Sequence, residues 1–360
     1  MKVSDLDHLK KVNSVHLLRG ITIFIIVTCH CYGKFHITDI PNTINIGKSY
    51  FFFFSELTFN WTVAFVLISG FLFQHLSDRY QMKKYFLSKF KNVILPYTFV
   101  TLILFLIIYR NNLSLSNLGI ETEHFLDVWF KGSISWPLWY IPMITVIFIF
   151  SPLFFYLSKR NLLVLCILSF ILITMSPRPA NNLDLIATFC YFAPVYIIGM
   201  AIRQYYVKLM TLVNKNVFSI LIFTFFILIF TLAIYQIKNG FHASSTIIVT
   251  PTRILFFVLI LYFLDFVNRK DIIGKVYSFF SYLANISFPI FFIHDFIAHH
   301  LFFNVIYPNN IFKELVYNQS GYFLLFIGLI YTLIVLFLSI ITVELVKRIA
   351  GNKSRYFIGG

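Results

Sequence analysis

The sequence predicts an all-α, polytopic transmembrane helix bundle of about ten spans with both termini cytoplasmic, on three observations. Hydrophobic residues make up 59% of the 360 positions and charged residues 12%, well under the roughly 25% charged share of a soluble domain. Apolar runs close to the ~20 residues that cross a hydrocarbon core recur along the whole chain. Lysine and arginine alternate between dense and sparse in successive connecting segments, which is how topology is written into short loops. Mean hydropathy is +0.82 and phenylalanine alone occurs 46 times, more apolar surface than a water-soluble core of this length could hide.

The first run, 16–35 (HLLRGITIFIIVTCHCYGKF), is followed by further hydrophobic runs, so it is a retained span and not a cleaved signal. The second, 51–73, starts at FFFF and stops short of Arg79. The third, 93–109, rises from a basic stretch (Lys83, Lys84, Lys89, Lys91) and ends at Arg110. The fourth, 138–157, ends at Lys159 and Arg160. The fifth, 161–176, is the shortest and is stopped by SPRP. The sixth, 185–202, reaches Arg203, and the seventh, 217–236, lies between Lys215 and Lys238. The eighth, 250–267, ends at Arg269 and Lys270. The ninth, 277–302, follows Lys275, and the tenth, 322–346, ends at Lys347 and Arg348. All are expected to be α-helical, because lipid satisfies no exposed backbone group, and the weak alternation of a barrel strand is not seen.

With the N-terminus inside, about 20 of the 29 lysines and arginines fall on inner segments and about 7 on outer ones, Lys34 and Lys48 among the latter. Arg19 and Arg253 lie within spans. The net charge of +15 is thereby read as topology, and a nucleic-acid partner is not expected. The chain reads as one integral membrane domain, 1–360, that ends about ten residues after its last span, with no appended soluble domain. No repeat, low-complexity linker or Gly-rich phosphate loop is visible. The longest outer loop, about 110–137, carries Glu121, Glu123, His124 and Asp127. A solvated acidic loop is favoured there over a metal cluster, and no metal is expected. Cys29 and Cys31 sit two apart on one helix and point to different faces, so they do not readily bridge. They read as small core residues.

Ionisable groups inside the spans carry the functional signal. Arg19 and His30 are eleven residues apart, just over three turns, so they share a helix face roughly 16 Å apart along the axis. Arg19 snorkelling to headgroups and His30 satisfied by a neighbouring helix would explain the pair blandly. Threading the remaining spans brings Glu56 with Asn60, Arg253, and His294 with Asp295 to a depth similar to that of His30, on four helices in all. Convergence at one depth is what a site requires. Glu56 and Arg253 read equally well as interface residues, and His299 and His300 lie nearer the outer surface.

These segments resemble the acyltransferase 3 family of integral membrane O-acyltransferases. LLRGITIFIIVTCH matches its Arg/His spacing in the first span, and FVLISGFLF at 65–73, FLSKFKNVILPY at 86–97, WPLWYIPMI at 136–144 and ISFPIFFIHDFI at 286–297 follow in order. The stretch 160–275 matches in hydropathy alone. The family usually carries an Arg-x-x-Arg motif in the second inner loop. Here the corresponding positions offer Lys89 and Lys91 with Asn92 nearby, and lysine cannot reproduce bidentate arginine contacts.

The resemblance implies transfer of an acyl group, usually acetyl from acetyl-CoA as co-substrate, to a hydroxyl of a cell-surface glycan or its lipid-linked oligosaccharide precursor, at the bacterial cytoplasmic (inner) membrane. Histidine suits the proton abstraction such a hydroxyl needs, and His30 is assigned as general base. Arg253, or a protonated His294 held by Asp295, would serve the oxyanion, with Glu56 a further candidate of the same site. Arg19, Lys89 and Lys91 are expected to hold the anionic end of CoA, although ordinary positive-inside charge explains the loop equally well. A transporter or glycan flippase, and a proton or ion conductor using the His/Asp cluster, are the other classes left open. Against the transporter, no paired broken helices occur in matching halves.

Overall fold

The computed structural model describes residues 3–37, 53–110, 118–179, 181–213, 215–239, 247–269, 274–306, 308 and 321–359. Among these the regular elements are helical and no strand occurs. Among the described residues nine helices are long and apolar enough to cross a membrane, or ten when Gly119–Lys131 and Trp136–Ile149, bent by 73°, are taken as one broken span. The chain is a multi-pass helical membrane protein. Residues 51–52 of the second expected span, and Lys2, Lys48, Lys270 and Lys313 of the charge count, lie outside the described residues.

Twelve helices position the site. They are α1 (Val3–Ile37), α2 (Thr62–His75), α3 (Met82–Tyr109), α4 (Leu118–Lys131), α5 (Tyr140–Ile149), α6 (Ser151–Met175), α7 (Leu185–Gln204), α8 (Lys215–Asn239), α9 (Val249–Arg269), α10 (Lys275–Asn285), α11 (Ser287–Leu301) and α12 (Gly321–Ala350). Side-chain contacts fix their relative directions. Phe24 meets Phe280, His30 meets His294 and Phe35 meets Phe302, so α1 runs parallel to the α10–α11 pair. Tyr32 meets Phe54 on the second span and donates to the Leu325 carbonyl at the start of α12, so both run antiparallel to α1. Gln74 bonds Gln204 and Arg203 bonds His75, which sets α2 parallel to α7. At Gly20 a methyl group would collide with the Phe280 carbonyl. The missing side chain lets α1 and α10 approach closely, the usual role of small residues between membrane helices.

Three departures from the expected spans have local causes. The fourth expected span, 138–157, is interrupted at Phe150, because Pro152 in the first turn of α6 cannot continue the hydrogen-bond ladder of α5. The next break comes at Asn161, whose φ of −156° and ψ of 78° are non-helical. The stretch expected as a solvated outer loop holds α4. Its Phe125 and Trp129 pack on Phe105 and Tyr97 of α3, while Asp127 and Lys131 pair across one turn at 2.6 Å. Charges on one face concealed an amphipathic helix. It ends at Gly132, whose φ of 67° supports a left-handed C-terminal cap, with its N–H returning to Val128.

Candidate active site

Asp295 of α11 is the centre of a buried polar cluster. Lys34 Nζ lies 3.1 Å from its Oδ1, and His30 Nδ1 lies 3.8 Å from the same oxygen. Ser135 Oγ and the Trp136 backbone N–H donate to Oδ2 at 2.8 and 3.2 Å. His30 and Lys34 are four residues apart on α1 and so share its face. Ser135 and Trp136 sit in the turn that the 73° bend creates between α4 and α5. The break in that span therefore delivers two donors to a carboxylate that lipid would otherwise leave unsatisfied. Asp295 is 5% exposed and His30 21%, so the imidazole is the reachable member of the pair.

His294 packs beside His30 with ring centroids 5.2 Å apart. Its Nδ1 lies 3.0 Å from the Ile290 carbonyl, one turn back on the same helix. That bond puts the proton on Nδ1 and leaves Nε2, which is buried and has no partner, as a basic nitrogen. The backbone of α11, in place of the expected Asp295, thus holds this ring.

Glu56 and Arg253 form a separate cluster. Arg253 Nη2 lies 3.6 Å from Glu56 Oε2 and also bonds the Glu56 carbonyl, while Nε donates to the Phe59 carbonyl at 2.7 Å. These carbonyls are released where the second span breaks at Asn60, the non-glycine residue with positive φ (59°) among those described. Arginine's fork closes the broken ladder. Asn60 Oδ1 in turn accepts from Arg178 Nη1 at 2.8 Å, and Arg178 Nη2 donates to Asn182 at 3.0 Å. Burial pulls the Arg178 pKa below the ordinary arginine value, opposed by the Tyr191 phenol and the Cys29 thiol. Arg178 Nε and Arg253 Nη1 are buried without partners.

Arg19 lies toward the opposite end of α1, where it donates to the Ala284 carbonyl and keeps Nε buried and unpartnered. It lines a cavity of about 260 Å³ with Lys89, Asn92, Tyr140 and Phe291, and Phe291 touches His294. A second cavity of about 390 Å³ shares Ser69, Leu72 and Lys89 with the first and reaches Arg79 and Lys84. Lys89 sits 4.2 Å over the Phe148 ring. Lys91 is exposed and lines neither cavity. Among the described residues no three His, Cys, Asp or Glu side chains gather as a metal site.

The sequence brings His30, His294 and Asp295 to one depth, together with Glu56 and Arg253, and does not single out Lys34, Ser135 or Arg178. Lys34 was counted as a loop charge, although its i+4 relation to His30 was the available signal. Ser135 and Arg178 carried none, since each depends on how a chain break folds back. The site and fold define a multi-pass membrane protein with a His–Asp pair between two ends of a helical bundle, one end lined by cations. A family model described as an acyltransferase domain, that of acyltransferase 3, matches residues 12–344, and the chain belongs to this family of acyltransferases. Comparison with curated proteins and with solved structures finds no match.

Proposed function

We propose that the chain moves an acetyl group from acetyl-CoA to a hydroxyl of a cell-surface polysaccharide, or of its lipid-linked oligosaccharide precursor, at the bacterial cytoplasmic membrane. The observation that carries this reading is the position of the His30–Asp295 pair. On one side lies the basic passage through Arg79, Lys84, Lys89 and Arg19, and on the other the turn that holds Ser135. The unpartnered Arg19 Nε and the neighbouring lysines fit the anionic and amide groups of CoA. Asp295 Oδ1 lies 3.8 Å from His30 Nδ1, longer than a hydrogen bond, so its charge favours the proton on Nδ1 and leaves Nε2 as the base.

In the reaction the acceptor oxygen attacks the thioester carbonyl carbon while His30 Nε2 takes its proton. The tetrahedral oxyanion is met by the unpartnered donors, Arg253 Nη1 or Arg178 Nε. Its collapse breaks the C–S bond, and the imidazolium returns the proton to the departing thiolate, giving the ester and free CoA. Membranes containing the protein, given acetyl-CoA and the deacylated glycan, should release CoA thiol in step with ester formed. A transporter or conductor would consume none, and that outcome would refute the reading.

A further inference from the structure

At the end of the bundle away from Arg19, the α4–α5 turn and residues 181–183 enclose a cavity of about 240 Å³. Sites for drug-sized ligands run to about 300–1,000 Å³, so this one suits a single small ring. None of the residues that line it is ionisable. Trp136, one of its walls, is 65% exposed. An open indole presents a π-face that attracts the C–H face of a ring without any charge.

The two asparagines of the opposite wall are fixed in orientation. Asn182 Oδ1 accepts from Arg178 Nη2 at 3.0 Å, and Asn181 Oδ1 accepts from the Leu183 N–H at 3.0 Å. Both amides therefore keep Nδ2 as their donor end, suited to hydroxyl and ring oxygens. Ser133 adds a hydroxyl that donates or accepts. Trp136 alone would pass for a membrane-interface tryptophan. The amides held in place, and the backbone tie to the active site, go beyond that. Ser135 and Trp136, which form the cavity wall, are the residues that bond Asp295 Oδ2.

We infer that the cavity between Trp136, Asn181 and Asn182 is the acceptor subsite and takes one uncharged sugar ring, stacked on Trp136, with a hydroxyl directed to His30. The assignment rests on the reading of the chain as a glycan acyltransferase and narrows its acceptor to a neutral residue of the glycan.

Saturation-transfer NMR on the purified full chain, in a detergent without sugar headgroups and with no acyl donor, tests it directly. The probes are methyl glycosides of glucose, galactose, mannose, rhamnose and N-acetylglucosamine, with methyl glucuronide as the anionic control. At least one neutral glycoside should bind saturably. Its Kd should rise about tenfold or more in Trp136→Ala, the scale expected for truncating an aromatic anchor, and in Asn182→Ala. Trp136→Phe, which keeps a ring face, should stay within about threefold. If Trp136→Ala does not fold, Asn182→Ala and Trp136→Phe carry the comparison. Absence of binding by every neutral glycoside, equal binding in folded Trp136→Ala or Asn182→Ala, or preference for the glucuronide overturns the subsite. Trp136-dependent binding in a protein that transfers no acyl group would leave the subsite standing and remove the enzyme reading. Acyl transfer with the acceptor KM unchanged in Trp136→Ala would do the reverse.

Discussion

Lys34 and His30 face the same carboxylate oxygen of Asp295, at 3.1 and 3.8 Å, from successive turns of α1. The lysine is 6% exposed, so it is no loop charge but the buried counter-ion of the proposed catalytic carboxylate. Removing it strands Asp295. Breaking one partner of a buried pair typically costs about 3–5 kcal/mol. Lys34→Met should therefore melt well below the parent in detergent, with acyl transfer falling in the fraction that still folds. Lys34→Arg should recover most of the melting temperature. A Lys34→Met protein as stable and active as the parent would show that Asp295 does not depend on this pair.

Arg253 and Glu56 are expected to act first on the fold. Arg253→Ala leaves the Glu56 carboxylate buried and two carbonyls at the Asn60 break without donors, a loss again on the order of 3–5 kcal/mol. Adding Glu56→Gln to Arg253→Met should restore part of what Arg253→Met alone removes, because the stranded charge is gone. Thermal melts of the single and double variants give the coupling. Strictly additive losses would mean that the two side chains do not interact.

The donor passage separates two lysines that the sequence grouped. Lys89 lines both basic cavities and Lys91 neither. Lys89→Ala and Arg19→Ala should each raise the KM for acetyl-CoA by about tenfold, the scale of one lost charge-assisted contact, with Arg19→Lys intermediate. Lys91→Ala should leave it unchanged. Steady-state kinetics at saturating acceptor decide the matter, and equal effects at Lys89 and Lys91 would point to general surface charge.

Orientation follows from charge density in the connecting segments and predicts that the end bearing Lys83 faces the cytoplasm. In intact cells an impermeant thiol reagent should label a cysteine placed at Glu123 but not one at Lys83, both exposed positions. Labelling at Lys83 alone would invert the arrangement and put the neutral cavity on the cytoplasmic side.

Most of the bundle was legible because span length and apolar content are set by the bilayer, which acts on each segment alone. The common depth of His30, His294 and Asp295 was legible for the same reason, since alternating spans fix depth. Lateral position is decided by packing between segments far apart in sequence. Glu56 and Arg253 therefore shared the depth of His30 yet pair with each other. The break at Gly132 and the fold-back at Arg178 were hidden for a further reason. Charged residues on one face of α4 gave it a loop's composition, and a single arginine between two prolines says nothing of the asparagines it will meet.

His30 is the proposed base, with the Asp295 carboxylate beside its Nδ1. His30→Gln keeps bulk and hydrogen-bonding capacity but has no basic nitrogen near neutral pH. General-base assistance is worth about 10²–10⁴-fold. Ester content of the surface glycan, at matched protein level, should therefore drop to background in both His30→Gln and His30→Ala while membrane insertion is unchanged. Substantial ester formation by His30→Gln would contradict the account and move the proton-accepting role to the unpartnered Nε2 of His294.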